Sequence, residues 1–144
     1  VEEMNAAIIK NWNSIVQPDD IVYHLGDVML GDNIAGIKCL KQLNGEIHLF
    51  FGNHDTLTRQ RLYAECPNVI IDGFATTIKF RGYNFYVSHY PTIVANEDSD
   101  LPLKRQVINL YGHTHQKENF YNDIFRETSL YPFLFFFSIF LLNL

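Results

Sequence analysis

Apolar residues Met4, Ala7, Ile8, Trp12 and Ile15 recur at three- and four-residue spacing, which predicts an amphipathic helix over residues 2–16, ended by Pro18. Beyond the Asp19-Asp20 turn the rhythm changes. Ile21-Val22-Tyr23-His24-Leu25 is short, apolar and partly β-branched, and it stops at Gly26-Asp27 as a buried strand does. Ile34, Ile37, Cys39, Leu40 and Leu43 return to a helical rhythm over residues 33–42, and Asn44-Gly45 supplies the stop. Ile47-His48-Leu49-Phe50-Phe51 reads as a second strand, running into Gly52-Asn53-His54-Asp55. A further short helix near residues 56–64 precedes β-rich runs at Val69 to Ile71, Phe74 to Phe80 and Tyr83 to Ser88. Arg81-Gly82 between the last two predicts a hairpin. Val107 to Leu110 is another apolar run, ending at Tyr111-Gly112-His113-Thr114-His115.

Strand, helix and strand in that order imply parallel βαβ units whose loops gather along one edge of a sheet. The expected class is therefore α/β, in one domain over residues 1–127. A second segment, residues 128–144, differs in character: from Leu130 to Leu142 it carries no charge and is dominated by Phe and Leu. Three readings compete for this tail, namely a displaced core segment, a membrane anchor, or sequence foreign to the fold. The run is shorter than the roughly 20 residues that span a bilayer and has no close positive flank, so an anchor is disfavoured and foreign sequence preferred.

Length and charge narrow the picture. A chain of 144 residues is one domain's worth. Lys and Arg total 11 against 16 Asp and Glu, a net charge of -5, which lacks the basic footprint of a duplex-binding protein and disfavours nucleic acid as a partner. Cys39 and Cys66 form no CxxC pair and fit buried thiols in a reducing cytoplasm. No signal-peptide layout follows Val1, and the chain is expected to be cytoplasmic, with its N-terminus a cut end.

Four strand ends deliver candidate chemistry: Asp27; then Asn53, His54 and Asp55; then His89 after Val87-Ser88; then His113 and His115. Imidazole and carboxylate suit zinc, manganese, iron or nickel, and an Asn carbonyl adds a neutral oxygen donor. A single His at a strand end is ordinarily structural. The series, in order and each member following an apolar run, points to a metal site. Gly26, Gly52 and Gly112 allow tight turns beside it.

The pattern GD, GNHD, an isolated His and GHTH resembles the calcineurin-like metallophosphoesterase family, in its small single-domain bacterial and phage form, over residues 20–121. The resemblance implies a four-layer α/β/β/α sandwich and a hydrolase acting on phosphomonoesters or phosphodiesters through a water activated between two divalent metals. It implies that Asp27 bridges the two metals, that Asn53, His89 and His113 complete the shell of the second, and that His115 belongs to the first. His54 would lie near the phosphoryl group as a hydrogen-bond donor or acid, with Asp55 holding its tautomer. The substrate would be a small phosphoester or a nucleotide.

One part of the pattern is absent. Family members begin with an Asp-x-His motif on a first strand, and no such strand precedes the opening helix here. The expectation is a truncated domain with one tightly held metal at most, because Asp27 and His115 alone are too few for the first site. The alternative to an active hydrolase is thus an inactive metal-binding fragment. His24 and His48, inside apolar runs, read as structural. Tyr90-Pro91 could line the pocket or simply shape the His89 loop. Arg59, Arg61, Lys104 and Arg105 read as solvated surface.

Overall fold

The computed structural model describes residues 2–92, 102 and 105–113, together with the backbone of 130–132 and 139–142. Its described elements are α1 (Glu2–Ile15), β1 (Ile21–His24), α2 (Asn33–Leu40), β2 (Glu46–Phe50), α3 (Leu57–Tyr63), β3 (Val69–Gly73), β4 (Ala75–Phe80), β5 (Tyr83–Ser88), β6 (Val107–Tyr111), β7 (Leu130–Pro132) and β8 (Ile139–Leu142). They form two four-stranded sheets, ordered β3-β2-β1-β8 and β4-β5-β6-β7. The mixed α/β class is as the alternation of helical and strand patterns predicts.

The βαβ reading holds for the first sheet. β1 runs parallel to β2, with Ile21 opposite Glu46 and His24 opposite Leu49, and β2 runs parallel to β3. In the second sheet β4 and β5 form the predicted antiparallel hairpin, while β5 and β6 are parallel. Its turn residues Arg81 and Gly82 both have positive φ (48° and 85°), the backbone of a two-residue turn whose twist matches that of the strands.

Period-2 alternation divides the chain between two cores. Val22, Ile47, Leu49 and Phe51 face the helices and join Trp12, Val16, Leu40, Tyr63 and Cys66 in one cluster. Leu25 and Phe50 belong instead to a cluster with Val87, Ile108 and Leu110, so they bring the first sheet against the second. Tyr23 joins this inner cluster and stacks near Phe50 and His48.

The helices end where local chemistry stops them. Pro18 has no N–H to continue α1, and Val16 N, bonded to Trp12 O, is its last helical contact. Trp12 Nε1 and Asn13 Nδ2 then donate to the carbonyls of Asn44 and Gln42, tying α1 to the turn before β2. Asp32 caps α2 by accepting from the amides of Ile34 and Ala35 at 2.7 and 2.9 Å.

Two described stretches of the apolar tail lie in the sheets, one in each. Leu130–Pro132 runs parallel beside β6, and Ile139–Leu142 pairs antiparallel with β1, Ile21 opposite Leu142. No helix among the described residues is long and apolar enough to cross a membrane.

Candidate metal centre

The carboxyl ends of β1, β2, β5 and β6 lie together, so Asp27, Asn53, His89 and His113 converge although they are spread over most of the chain. His89 is the hub, buried to 1% exposure. Its Nε2 lies 3.0 Å from Asn53 Oδ1, 3.1 Å from His113 Nδ1 and 3.5 Å from Asp27 Oδ2. The ligand atoms of Asp27, His89 and His113 all fall within 4.8 Å of one another, the one such group among the described residues.

Close approach of the loops requires the glycines. Gly26 has φ +90°, and a Cβ there would stand 2.5 Å from Gly52 N and 2.8 Å from His89 Nδ1. A Cβ on Gly52 would run into the Asp27 carboxylate and the His89 ring. Asp27 and His113 themselves adopt positive φ (56° and 58°), sparsely populated for residues with a Cβ. Two of the three clustered ligand residues thus sit on strained backbone, a feature concentrated at functional sites.

The donors suit a cation. His89 Nδ1 lies 2.6 Å from the Leu25 carbonyl, which can only accept, so Nδ1 carries the proton. In the neutral ring this leaves the Nε2 lone pair aimed at a carboxylate oxygen, an amide and a second imidazole. With metal–ligand bonds of about 2.1 Å, neighbouring donors around a divalent ion stand roughly 3.0–3.4 Å apart, close to the separations seen here. The backbone hydrogen bond to Nδ1 is the outer support that orients a ligating imidazole.

Asp55 lies beneath these loops, 3% exposed, and its carboxylate is saturated. Oδ2 accepts from the amides of Asp27 at 2.7 Å and Gly52 at 2.8 Å; Oδ1 accepts from Val28 N at 3.2 Å and Tyr63 Oη at 2.7 Å. The expected contact with the His54 ring does not occur among the described hydrogen bonds. All four strong acceptor positions of the carboxylate are taken by groups that staple the β1 and β2 loops together. Burial and the Asp55 contact push the Tyr63 hydroxyl well above its ordinary range, so it stays a donor.

His54 is exposed, and its backbone N–H donates to Asp27 Oδ1 at 2.8 Å. His24, behind the site, is structural as its setting in β1 suggested: Nδ1 accepts from Gly26 N at 3.2 Å, and burial lowers its pKa to about 4 against the pull of Asp55 and Asp27. His48 lies away from the cluster, between Asp72 (2.8 Å) and Glu46 (3.2 Å). His115 lies outside the described residues.

Sequence reasoning missed two contributors, Tyr63 and Arg59, and left the role of a third, Tyr90, open. Tyr63 closes the Asp55 network from α3. Arg59, assigned to solvated surface, is engaged by three acceptors: Nη1 donates to His54 O at 2.7 Å, Nε to Asn33 Oδ1 at 3.0 Å and Nη2 to Gly31 O at 3.2 Å. Tyr90 packs edge-on against both His89 and His113, with centroids 4.9 and 4.7 Å away. Its carbonyl is held by Ser88 Oγ at 2.7 Å, so the residue both shapes the turn and walls the cluster. A Tyr directly after a predicted ligand was a usable signal; nothing local marked Arg59 or Tyr63.

A two-sheet α/β fold thus gathers carboxylate, amide and imidazole donors at the ends of four strands, where they could hold a metal ion. Residues 4–132 match the calcineurin-like phosphoesterase superfamily domain, and the chain belongs to that family. It is 37% identical over 117 residues to the uncharacterized protein MJ1445 of Methanocaldococcus jannaschii, covering 80% of this chain and 55% of that protein. It is also 40% identical over 58 residues to the gene 66 protein of Mycobacterium phage L5, covering 38% of this chain and 28% of the phage protein. The chain thus spans about half or less of the length of these relatives. The crystal structure of a protein of unknown function, AQ665 from Aquifex aeolicus, shares the fold with a TM-score of 0.60 at 23% identity, covering 91% of this chain and 75% of that one.

Proposed function

We propose that this chain carries the site of a metal-dependent phosphoester hydrolase, with Asp27, Asn53, His89 and His113 as metal ligands and His54 facing the phosphoryl group. The observation that carries this reading is the convergence of three other donor residues on the inward-facing Nε2 of His89, at 3.0–3.5 Å. A bound divalent metal, drawn from manganese, iron, zinc and nickel, would supply Lewis acidity and an activated water for in-line displacement at phosphorus.

The protein's own residues do the positioning. Leu25 O holds the His89 ring by its Nδ1 proton. Asp55 and Tyr63 hold the backbones of Asp27 and Gly52, so the carboxylate and the Asn53 loop keep one separation. Asp27 divides its oxygens between the His54 amide and the ligand cluster, which couples His54 to the metal pocket. On this reading His54 donates a proton or hydrogen bond to the departing oxygen, a role worth roughly 10²–10⁴ in rate. In the dinuclear form His115 would be a ligand of the first metal, with Asn53, His89 and His113 on the second.

Metal content of the purified chain, measured with manganese-dependent hydrolysis of bis(p-nitrophenyl) phosphate and p-nitrophenyl phosphate, tests the proposal. Bound metal with turnover supports it, and the two substrates separate diesterase from monoesterase. A metal-free chain after manganese loading would refute it. A second reading is a single metal pocket without turnover, built on the Asp27, His89 and His113 group. Stoichiometric metal with no hydrolysis of either ester would select it.

A further inference from the structure

We infer that Arg59 is a positioning residue for His54: its guanidinium fixes the backbone from which the His54 imidazole projects. The inference rests on the reading above that His54 serves the phosphoryl group. His54 is held on both sides of its Cα, its N–H by Asp27 Oδ1 at 2.8 Å and its carbonyl by Arg59 Nη1 at 2.7 Å and Thr56 N at 3.0 Å. Its ring is exposed and makes no hydrogen bond among the described residues. With no described residue bonded to the ring itself, the direction of its Cα–Cβ bond decides where the imidazole can reach.

The guanidinium is well suited to this because its other arms are anchored. Nε donates to Asn33 Oδ1 at 3.0 Å and Nη2 to Gly31 O at 3.2 Å, the two residues that flank the α2 cap Asp32. One rigid planar fork therefore joins three segments: α3, the start of α2 and the His54 loop. Thr56 caps α3, its Oγ1 3.5 Å from Arg59 N, so the base of the fork is held as well. Asp27 registers His54 to the metal ligands, and Arg59 registers it to the helices.

An ammonium donates from a single nitrogen and cannot span the three separate acceptors reached by Nε, Nη1 and Nη2, whereas it does reproduce a positive charge. That difference separates a clamp from a direct phosphate contact by Arg59. Arg59→Ala should lower kcat about 10–100-fold, the scale of a modest misplacement of a reacting group, with KM within about threefold and metal content unchanged. Arg59→Lys should lose nearly as much, and neither change should lower kcat further in a His54→Gln background. Wild-type kcat in Arg59→Lys, or multiplicative losses with His54→Gln, would overturn the inference. Should Arg59→Ala fail to fold, Arg59→Lys carries the same comparison.

Absence of turnover in the wild type would sink the phosphoesterase reading, and the clamp would then be judged without it. In carbon-13 histidine NMR, the His54 ring line is identified by its loss in His54→Gln. The line should narrow, its transverse relaxation slowed by a looser backbone beneath the ring, in Arg59→Lys. An unchanged His54 line would overturn the clamp by itself.

Discussion

Asp55→Asn tests whether a single buried carboxylate holds the metal loops in register. The carboxylate accepts four hydrogen bonds, from the amides of Asp27, Val28 and Gly52 and from Tyr63 Oη, at 2.7–3.2 Å. An Asn at this place has one oxygen and one NH2. If the oxygen keeps the two short bonds to Asp27 and Gly52, the NH2 faces Val28 N and Tyr63 Oη. Tyr63 can turn its hydroxyl to accept, whereas the Val28 amide is left without a partner. An orphaned buried amide costs about 1–3 kcal/mol, and the two surviving bonds fall from charge-assisted to neutral strength. The expected loss is about 2–4 kcal/mol. Tyr63→Phe, which removes one donor and leaves the other three, should cost about 1.5–3 kcal/mol. Because both act on one network, the double variant should lose less than the sum of the two. Urea unfolding reads all three through the midpoint at constant m value. Asp55→Asn within about 0.5 kcal/mol of wild type, or strictly additive losses, would refute the argument.

Three further outcomes are expected. Asp27→Asn should weaken metal binding by more than the roughly 10–100-fold that loss of an outer-shell partner costs, measured by competition with a fluorescent chelator; unchanged affinity removes Asp27 from the ligand set. His54→Gln should keep metal content and slow hydrolysis roughly 10²–10⁴-fold, so equal kcat in variant and wild type would end its assigned role. His24 should make stability pH-dependent. Its folded pKa of about 4 lies below the ordinary 6.5, so the unfolded chain takes up the proton first. Its contribution is complete above pH 6.5 and fades as pH falls through the interval down to about 4, by about 3 kcal/mol in all. In denaturant titrations, His24→Asn, which keeps an acceptor for Gly26 N, should flatten that slope; an identical slope contradicts the burial argument.

Much of this protein is legible without coordinates, because strands and helices follow from local spacing. The runs at Ile21, Ile47, Tyr83 and Val107 appear as β1, β2, β5 and β6; β1, β2 and β6 stop at Gly26, Gly52 and Gly112, and β5 runs directly into His89. Element ends move by one or two residues: α3 begins after its cap Thr56 and not at it, since a cap is a side-chain contact and not a periodicity, and α2 stops at Leu40 where residue 42 was expected. The candidate ligands were visible for the same local reason: a polar residue following a buried strand has no core to join.

What tertiary structure decided is which of those residues meet, and what they do once met. That His89 Nε2 faces Asn53, Asp27 and His113 depends on Leu25 O taking its other nitrogen, a contact 64 residues away in sequence. Asp55 appeared beside His54 in the chain, yet its carboxylate turns away to the Asp27, Val28 and Gly52 amides and to Tyr63 on the next helix. Arg59 became a three-way clamp only because α2 and the His54 loop lie within reach of one guanidinium. Local sequence sets a residue's chemistry and its place on an element. Buried hydrogen-bond donors must find acceptors wherever the packed chain offers them, and that requirement, absent from any local pattern, assigned the roles of Asp55, Tyr63 and Arg59.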